Sequence, residues 1–318
     1  MTVAIGIDVG GTAIKGGVVS ASGEVLTKEA IATQTQHGVG RVIERICGLI
    51  ESLAGANAAA ASQEVAVGLG VPGNIDHQQG VLLASPNLDG WRDIHVARLV
   101  CEKTGRRAVL ENDANNAALG ESVCGVGRGA DSLVLLTLGT GIGSGVILGG
   151  ALLRGATGDA GELGHTIVHA GGRRCACGQS GCLEAYASAS STVRRATEWI
   201  AGGEPSSLKE ALDRGQTVTA EMVVAASEAG DALARRVWEQ TCEYLAVACI
   251  NIQHTLNPQY IVLAGGMTAA GERLRAPVQQ AIEAMISEQF GRAPQVRMSQ
   301  LGNDAGFIGA ALSAMPGD

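Results

Sequence analysis

Short apolar runs of strand length, punctuated by glycine-rich turns, set the rhythm of this chain. Val3–Asp8 and Ala13–Val19 read as two strands joined by Val9-Gly10-Gly11-Thr12, and Gly23-Glu24 turns the chain into a third strand near Val25. The period then changes. Val42, Ile46, Leu49, Ile50 and Leu53 recur at helical spacing and predict a helix over Val39–Leu53, followed by an Ala-rich surface connection, Ala54–Ala61. Val65–Val71 is an apolar run of buried-strand length that stops at Pro72-Gly73. A helix over Val96–Lys103, a strand at Ala108–Leu110 and a helix from Ala114 complete the first half.

The second half repeats the opening. Leu133–Leu138 is a strand ending in Gly139-Thr140-Gly141-Ile142-Gly143-Ser144-Gly145, and Val146–Leu148 is the strand that follows. A third echo, Ile261–Ala264 followed by Gly265-Gly266, comes after a long amphipathic helix around Asp231–Leu256 that Asn257-Pro258 ends. An internal duplication explains the pattern most economically. The expected organisation is α/β, with a first lobe over 1–118, a second over 119–304, and a closing helix within 305–318 that packs back on the first lobe.

Composition narrows the function. A chain of 318 residues, 46% apolar and 17% charged, buries a large core and suits two domains with a cleft. Its 23 basic residues against 31 acidic ones give a net charge of -8, and four lysines argue against broad phosphate-backbone contact, so nucleic acid is not an expected partner. No leader pattern opens the chain, and no apolar stretch reaches ~18 residues, which points away from a membrane and to the cytoplasm. There, eight cysteines act as thiols or metal ligands rather than disulfides. Cys47, Cys101, Cys124, Cys242 and Cys249 stand alone in apolar surroundings and read as small buried hydrophobes.

The chemistry gathers in three places. A turn that lets backbone N–H groups touch an anion needs glycine, because a Cβ would block the approach. Asp8-Val9-Gly10-Gly11-Thr12, with Lys15 three residues on, fits that need, and Asp8 is placed to hold Mg²⁺ through water; an ordinary hairpin is the competing reading. No Gly-Lys dipeptide occurs, which excludes a Walker A loop. The protein-kinase signatures are absent. Gly68-Leu69-Gly70-Val71-Pro72-Gly73 has dinucleotide-fingerprint spacing but opens no helix on which a pyrophosphate could sit. Second, Glu111-Asn112-Asp113-Ala114-Asn115-Asn116 joins a strand to a helix, so Asp113 is either a general base or a helix N-cap. Third, His165 in Gly161-Glu162-Leu163-Gly164-His165 precedes Cys175, Cys177 and Cys182, a Cys₃His set for a closed structural Zn²⁺ site, with redox cysteines as the alternative. Glu162 and Glu184 flank that loop, where a metal would fix both carboxylates for polyol recognition.

Taken together, these motifs resemble the ROK family (bacterial repressors, open reading frames and sugar kinases), most closely its glucokinase branch. The similarity runs over nearly the whole chain and includes Asp8-x-Gly10-Gly11-Thr12-x-x-Lys15, Asn112-Asp113-Ala114-Asn115, Leu138-Gly139-Thr140-Gly141-x-Gly143, Gly161-Glu162-x-Gly164-His165, the Cys175/Cys177/Cys182 loop with Glu184, and Gly265-Gly266. The resemblance implies an actin-like (ribonuclease H-like) ATPase fold of two lobes, each a mixed sheet flanked by helices. It implies ATP and Mg²⁺ held by the glycine turns and a hexose bound between the lobes. Asp113 would take the proton of the sugar 6-hydroxyl, while Asn112, Glu162, His165 and Glu184 bind ring hydroxyls and Gly73 lies at a sugar-contacting turn. Asn87, in Ser85-Pro86-Asn87-Leu88-Asp89-Gly90-Trp91, belongs to a stretch that looks glucokinase-like. The expected assembly is a homodimer or a tetramer. N-acetylglucosamine, N-acetylmannosamine or fructose are the competing substrates, and polyphosphate or ADP the competing donors. A sugar-responsive repressor is the competing class; its added helix-turn-helix has no room before Gly10.

Overall fold

The computed structural model describes residues 2–85, 87–287, 289 and 292–315. Strands β1 (Val3–Val9), β2 (Ala13–Ser20) and β3 (Val25–Ala32) form an antiparallel meander, after which α1 (Gly38–Ala56) crosses to β4 (Val67–Val71), parallel to β1. A small antiparallel sheet of β5 (Asn74–Asp76), β6 (Val81–Ala84) and β7 (Arg92–Ile94) precedes α2 (Val96–Thr104), β8 (Ala108–Asn112) and α3 (Asp113–Val123). The large sheet has the order β3-β2-β1-β4-β8.

The chain then repeats this plan. β9 (Leu133–Leu138), β10 (Ile142–Leu148) and β11 (Ala151–Leu152) are followed by α4 (Glu184–Ala187), α5 (Ala189–Ala201), α6 (Lys209–Asp213), α7 (Ala220–Glu228) and α8 (Ala232–Leu256). β12 (Tyr260–Ala264), α9 (Glu272–Met285), β13 (Gln295–Met298) and α10 (Ala305–Ala314) complete the fold. The second sheet has the order β11-β10-β9-β12-β13, so both sheets place their strands third, second, first, fourth, fifth. That shared order is the structural form of the repeated strand–glycine turn–strand pattern. Each sheet is mixed and flanked by helices, the architecture of the actin-like ATPase fold.

Two compact units divide the chain. One comprises 1–131, 145–161 and 300–318, and the other 132–144 and 162–299. In the first unit, strand alternation decides which residues meet which helices. Val3, Ile5, Ile7 and Val9 of β1, with Val67, Leu69 and Val71 of β4, join α1 and α2 in one core. The opposite face of the same strands carries Ala4, Gly6, Gly68 and Gly70, and there α10 packs with Phe307, Ile308 and Ala311. Glycine is required by space: a Cβ on Gly6 would lie 1.8 Å from the Phe307 carbonyl oxygen, and one on Gly68 only 1.6 Å from that of Ala310. In the second unit α8 is the central helix, capped by Asp231, and shares a core with α5 and α7.

Two expectations hold in part. The Ala54–Ala61 stretch is mostly exposed, with Gly55, Ala56, Ala58, Ala59 and Ala61 at the surface, but α1 runs on to Ala56, Ala60 is fully buried, and the buried Arg106 guanidinium donates from Nη1 to the carbonyls of Ala60 at 3.3 Å and Ser62 at 2.7 Å. Cys101 is exposed on α2 and Cys124 is half-buried, unlike the buried Cys47, Cys242 and Cys249. The closing helix packs on α3 and β1 of the first unit; Pro316, Gly317 and Asp318, in the span given for it, lie outside the described residues, as does Met1 at the start of the first lobe. Among the described residues no helix is long and apolar enough to cross a membrane.

Gly68→Ala tests the close approach of α10. It is expected to destabilise the protein by about 3 kcal/mol, the upper end for overpacking. Gly48→Ala, on an exposed face of α1 with nothing within 4 Å of the added Cβ, should stabilise it by up to about 1 kcal/mol. Urea unfolding midpoints of the two variants beside the parent protein give the answer.

Candidate active site

In the first unit the alternation that buries Ala4 and Gly6 against α10 also turns Asp8 to that face. A Cβ on Gly306, in the first turn of α10, would lie 2.7 Å from the Asp8 carboxyl carbon, so a side chain there would displace the carboxylate. Lys15 is the cross-strand partner of Asp8. Burial pushes Asp8 up to about 7, the Asp113 carboxylate adds to the push, and Lys15 opposes it. Asn116, fully buried nearby on α3, has neither amide atom hydrogen-bonded, and its Nδ2 lies 2.8 Å from where a Cβ on Gly70 would sit.

The turn after Asp8 is tight: Gly10 N–H donates to Ala13 O at 2.9 Å, and Thr33 Oγ1 donates to Gly10 O at 2.6 Å. Neither Gly10 nor Gly11 has a positive φ, so conformational freedom is not why glycine stands there. Space is tight at Gly10, where a Cβ would meet Ala13 O at 3.1 Å, whereas one on Gly11 would make an ordinary contact with Asn87 O at 3.4 Å. Asn87 thus lies beside the turn, its own N–H donating to Ser85 Oγ at 3.3 Å; Pro86, in the same sequence stretch, is outside the described residues.

Asp113 is not the N-cap of α3. That role belongs to Asn112, whose Oδ1 accepts from the N–H groups of Ala114 at 2.9 Å and Asn115 at 3.1 Å. Asp113 is therefore the first helical residue, its Oδ1 also accepting from Ala114 N–H at 3.0 Å. Burial raises its pKa above the ordinary carboxylate range, against the opposing hydrogen bonds from the backbone of Ala114 and Asp113 and from the Asn112 side chain. Asn112 Nδ2 donates to Gly73 O at 3.2 Å, and Gly73 holds a φ of 127° with no space for a Cβ, which would sit 2.2 Å from Ala84 O. Asp8, Asp113, Asn112, Gly73 and Asn87 accordingly gather at one end of the first sheet. Sequence reasoning gave no role to Glu111, although a charged residue at the end of an apolar strand was a usable signal; it is 3% exposed and its carboxylate bonds Arg154.

The second unit holds the remaining candidates in two groups. Gly139 N–H donates to Gly141 O at 3.0 Å, Gly143 N–H donates to Thr137 Oγ1 at 3.1 Å, and Thr140 is exposed at the tip of the turn. Gly265, at φ 85°, packs so closely on Leu138 that a Cβ would lie 2.6 Å from its carbonyl oxygen, which brings Gly265 and Gly266 alongside the start of that turn. Glu184 connects this turn to the cysteine loop. Its Oε2 accepts from Ile142 N–H at 2.9 Å, and its Oε1 accepts from Cys175 Sγ at 3.6 Å. A Cβ on Gly141 would lie 2.4 Å from Glu184 Oε2, so the glycine makes room for the carboxylate.

The donor atoms of His165, Cys175, Cys177 and Cys182 all lie within 4.8 Å of one another. Cys177 and Cys182 are 3.7 Å apart at sulfur, and Cys175 Sγ is 3.8 Å from His165 Nδ1. Ligand sulfurs about 2.3 Å from a tetrahedral ion stand about 3.8 Å apart, so the cluster has the dimensions of a zinc site and not of a disulfide. The set is compatible with zinc. His165 ends a short turn, Leu163–His165, held by Leu163 N–H donating to Ser144 Oγ at 3.0 Å; exposed Glu162 precedes it and accepts from His165 N–H at 3.0 Å through its carbonyl.

Two mixed sheets of equal strand order, each with a glycine turn after its first strand and helices on its faces, define the actin-like fold. The ROK family model matches residues 4–315, and the chain belongs to the ROK family. It is 38% identical to the glucokinase of Halalkalibacterium halodurans, over 96% of this chain and 92% of that one. The ROK hexokinase of Thermus thermophilus superposes with a TM-score of 0.85 at 35% identity, covering 98% of each chain. A ROK family glucokinase from Streptomyces griseus in complex with glucose and AMPPNP gives 0.82 at 31% identity, over 98% of this chain and 99% of that one.

The raised pKa of Asp8 has a sign that can be checked. A carboxyl that titrates near 7 in the fold and near 3.8 when unfolded holds its proton more tightly in the fold. Ligand-free stability should therefore fall as pH rises from about 4 to about 7, by at most about 1.4 kcal/mol per unit from this group. Asp8→Asn removes the effect, so it should be more stable than the parent protein at pH 8 and not at pH 4. Equal thermal unfolding temperatures at pH 8 would contradict the burial of this charge.

Proposed function

We propose that the protein is an ATP-dependent glucokinase that transfers a phosphoryl group to the 6-hydroxyl of glucose. One observation carries the reading: Asp113, held at the strand-to-helix corner of β8 and α3, presents a desolvated carboxylate with raised proton affinity, next to Asp8 and the first glycine turn. A carboxylate of that kind suits a general base that accepts a hydroxyl proton. Similarity to glucokinases and a hexokinase over nearly the full chain supports the same reading.

Phosphoryl transfer asks a protein mainly for positioning and charge neutralisation. Mg²⁺ and ATP supply the charge screening and the phosphoryl group when bound. For this chain, Asp8 would hold Mg²⁺ through water, and Gly10, Gly11, Thr12, Lys15, Gly139, Thr140, Gly141, Gly143, Gly265 and Gly266 would contact the nucleotide. The sugar would be bound by Gly73, Asn87, Asn112, Glu162, His165 and Glu184. Hydrogen-bonding capacity remains for this: Asn112 Nδ2 has a second hydrogen, and the oxygens of Glu184 have further lone pairs. Zn²⁺ on His165, Cys175, Cys177 and Cys182 would fix the loop that ends at Glu184, with Nε2 of His165 left for the sugar. A cytoplasmic homodimer acting on free hexose completes the proposal.

ADP release from Mg·ATP is measured with glucose, N-acetylglucosamine, N-acetylmannosamine and fructose, on the parent protein beside Asp113→Asn. Glucose should support the highest turnover, and the variant should lose about 10²- to 10⁴-fold. Preference for another sugar would replace the substrate, and undiminished turnover by the variant would remove the base.

Metal analysis should find one zinc per chain, and a chelator should weaken sugar binding before either unit unfolds. A zinc-free preparation with full activity would rule the metal out.

A further inference from the structure

We infer that Glu111 and Arg154 form a positioning pair that sets the geometry of Asp113; this rests on Asp113 being the base. Glu111, the last residue but one of β8, has its side chain 4% exposed, and a buried carboxylate is costly unless its oxygens are engaged. Here all of that capacity is directed at one corner. Oε1 accepts from the N–H of Asn112 and from Nδ2 of Asn115, both at 3.0 Å. Oε2 accepts from Arg154 Nε at 2.7 Å, with His77 Nδ1 3.6 Å away. The two bonds to Oε1 come from residues on either side of Asp113 in the chain, so they fix the rotation of the first turn of α3 from both ends.

Helix formation does not require this. The Asn112 side chain already caps α3 through two N–H groups, and an apolar residue would end a buried strand at lower cost than a carboxylate. What the carboxylate adds is a directional hold on the backbone that carries Asp113, anchored to a second segment. Arg154 belongs to a compact loop after β11 that is closed by Ala160 N–H donating to Arg154 O at 3.1 Å. The same loop rests on the small sheet at Gly158, where a Cβ would lie 2.9 Å from Ile75 O. The loop and its arginine both belong to the first unit, as does the corner that carries Asp113. Asp113 has one productive position for the hydroxyl it deprotonates, and a small displacement there costs rate rather than fold.

Steady-state kinetics and thermal unfolding are measured together on Arg154→Met, Glu111→Leu/Arg154→Met and Asp113→Asn. Arg154 is partly exposed, so its single variant should fold; kcat should fall about 10- to 100-fold with KM for ATP unchanged. The double variant removes the ion pair but also leaves the Asn112 N–H and the Asn115 amide without their acceptor, so it should unfold below the parent temperature and lose at least as much kcat as Arg154→Met. Recovery of kcat along with stability in the double variant, or parent kcat in Arg154→Met, would overturn the positioning role. If Asp113→Asn keeps parent turnover, the base assignment fails and this inference with it; if that variant is inactive while Arg154→Met is normal, only the pair's role is lost.

Discussion

Contact between backbones without intervening side chains is the constraint on which the first unit depends. α10 lies on β1 and β4 over Gly6 and Gly68, and against α3 through Gly309, where a Cβ would sit 1.7 Å from the Asn116 carbonyl oxygen. Because both partners are backbone, neither can move aside as a flexible side chain would. The same seating places Gly306 against Asp8 and α3 beside α10, so the helix that closes the chain defines the surroundings of both carboxylates.

Those surroundings are electrostatically unfavourable in the absence of ligand. Asp8 and Asp113 are each desolvated, and Asp113 raises the proton affinity of Asp8 further, with Lys15 as the opposing charge. Two partly buried carboxylates side by side cost stability when both are ionised, so each holds its proton more tightly, and perturbed groups of this kind gather at functional sites. The Asn116 amide, buried with no partner, belongs to the same under-satisfied region. The well-satisfied neighbour is Glu111, whose oxygens are all committed to fixing the corner.

The second unit solves a different problem, that of ordering a glycine-rich loop with little apolar surface. The core beneath that loop is small: Cys175, Cys182, Ala185 and Tyr186, with Val168 and Tyr244 against them. Tyr186 and Tyr244 pack at 4.1 Å between ring centroids, and Tyr186 Oη accepts from Arg173 N–H at 2.6 Å. The cluster of His165, Cys175, Cys177 and Cys182, compatible with zinc, would add the cross-link that a core of this size lacks. Glu184 carries that order to the second glycine turn through Ile142 N–H.

Much of the architecture was legible before any coordinates. The change from period two to helical spacing located β1, β2, α1 and α8 to within a few residues, and the recurrence of strand, glycine turn and strand announced two sheets of equal order. The clustered cysteines and Asn112-Asp113 stood out as candidates for chemistry, each with a second reading that spacing left open. Other features were invisible in one dimension. Asp113 and Asn112 compete for the cap of α3, and only the backbone conformation gave it to Asn112. Ala54–Ala61 is the mostly exposed connection its composition suggested, but nothing in the stretch announces that the Ala60 carbonyl accepts from a buried arginine. Segment 145–161 joins the first unit and brings Arg154 to Glu111, forty-three residues earlier, by a pairing that no local pattern encodes. The sequence by itself thus determined the elements, their repeat and the reactive residue types, because these follow from local periodicity and composition. Tertiary structure alone decided which carboxylate is desolvated, which is paired and which glycines yield to another backbone, because each of those depends on neighbours distant in the chain.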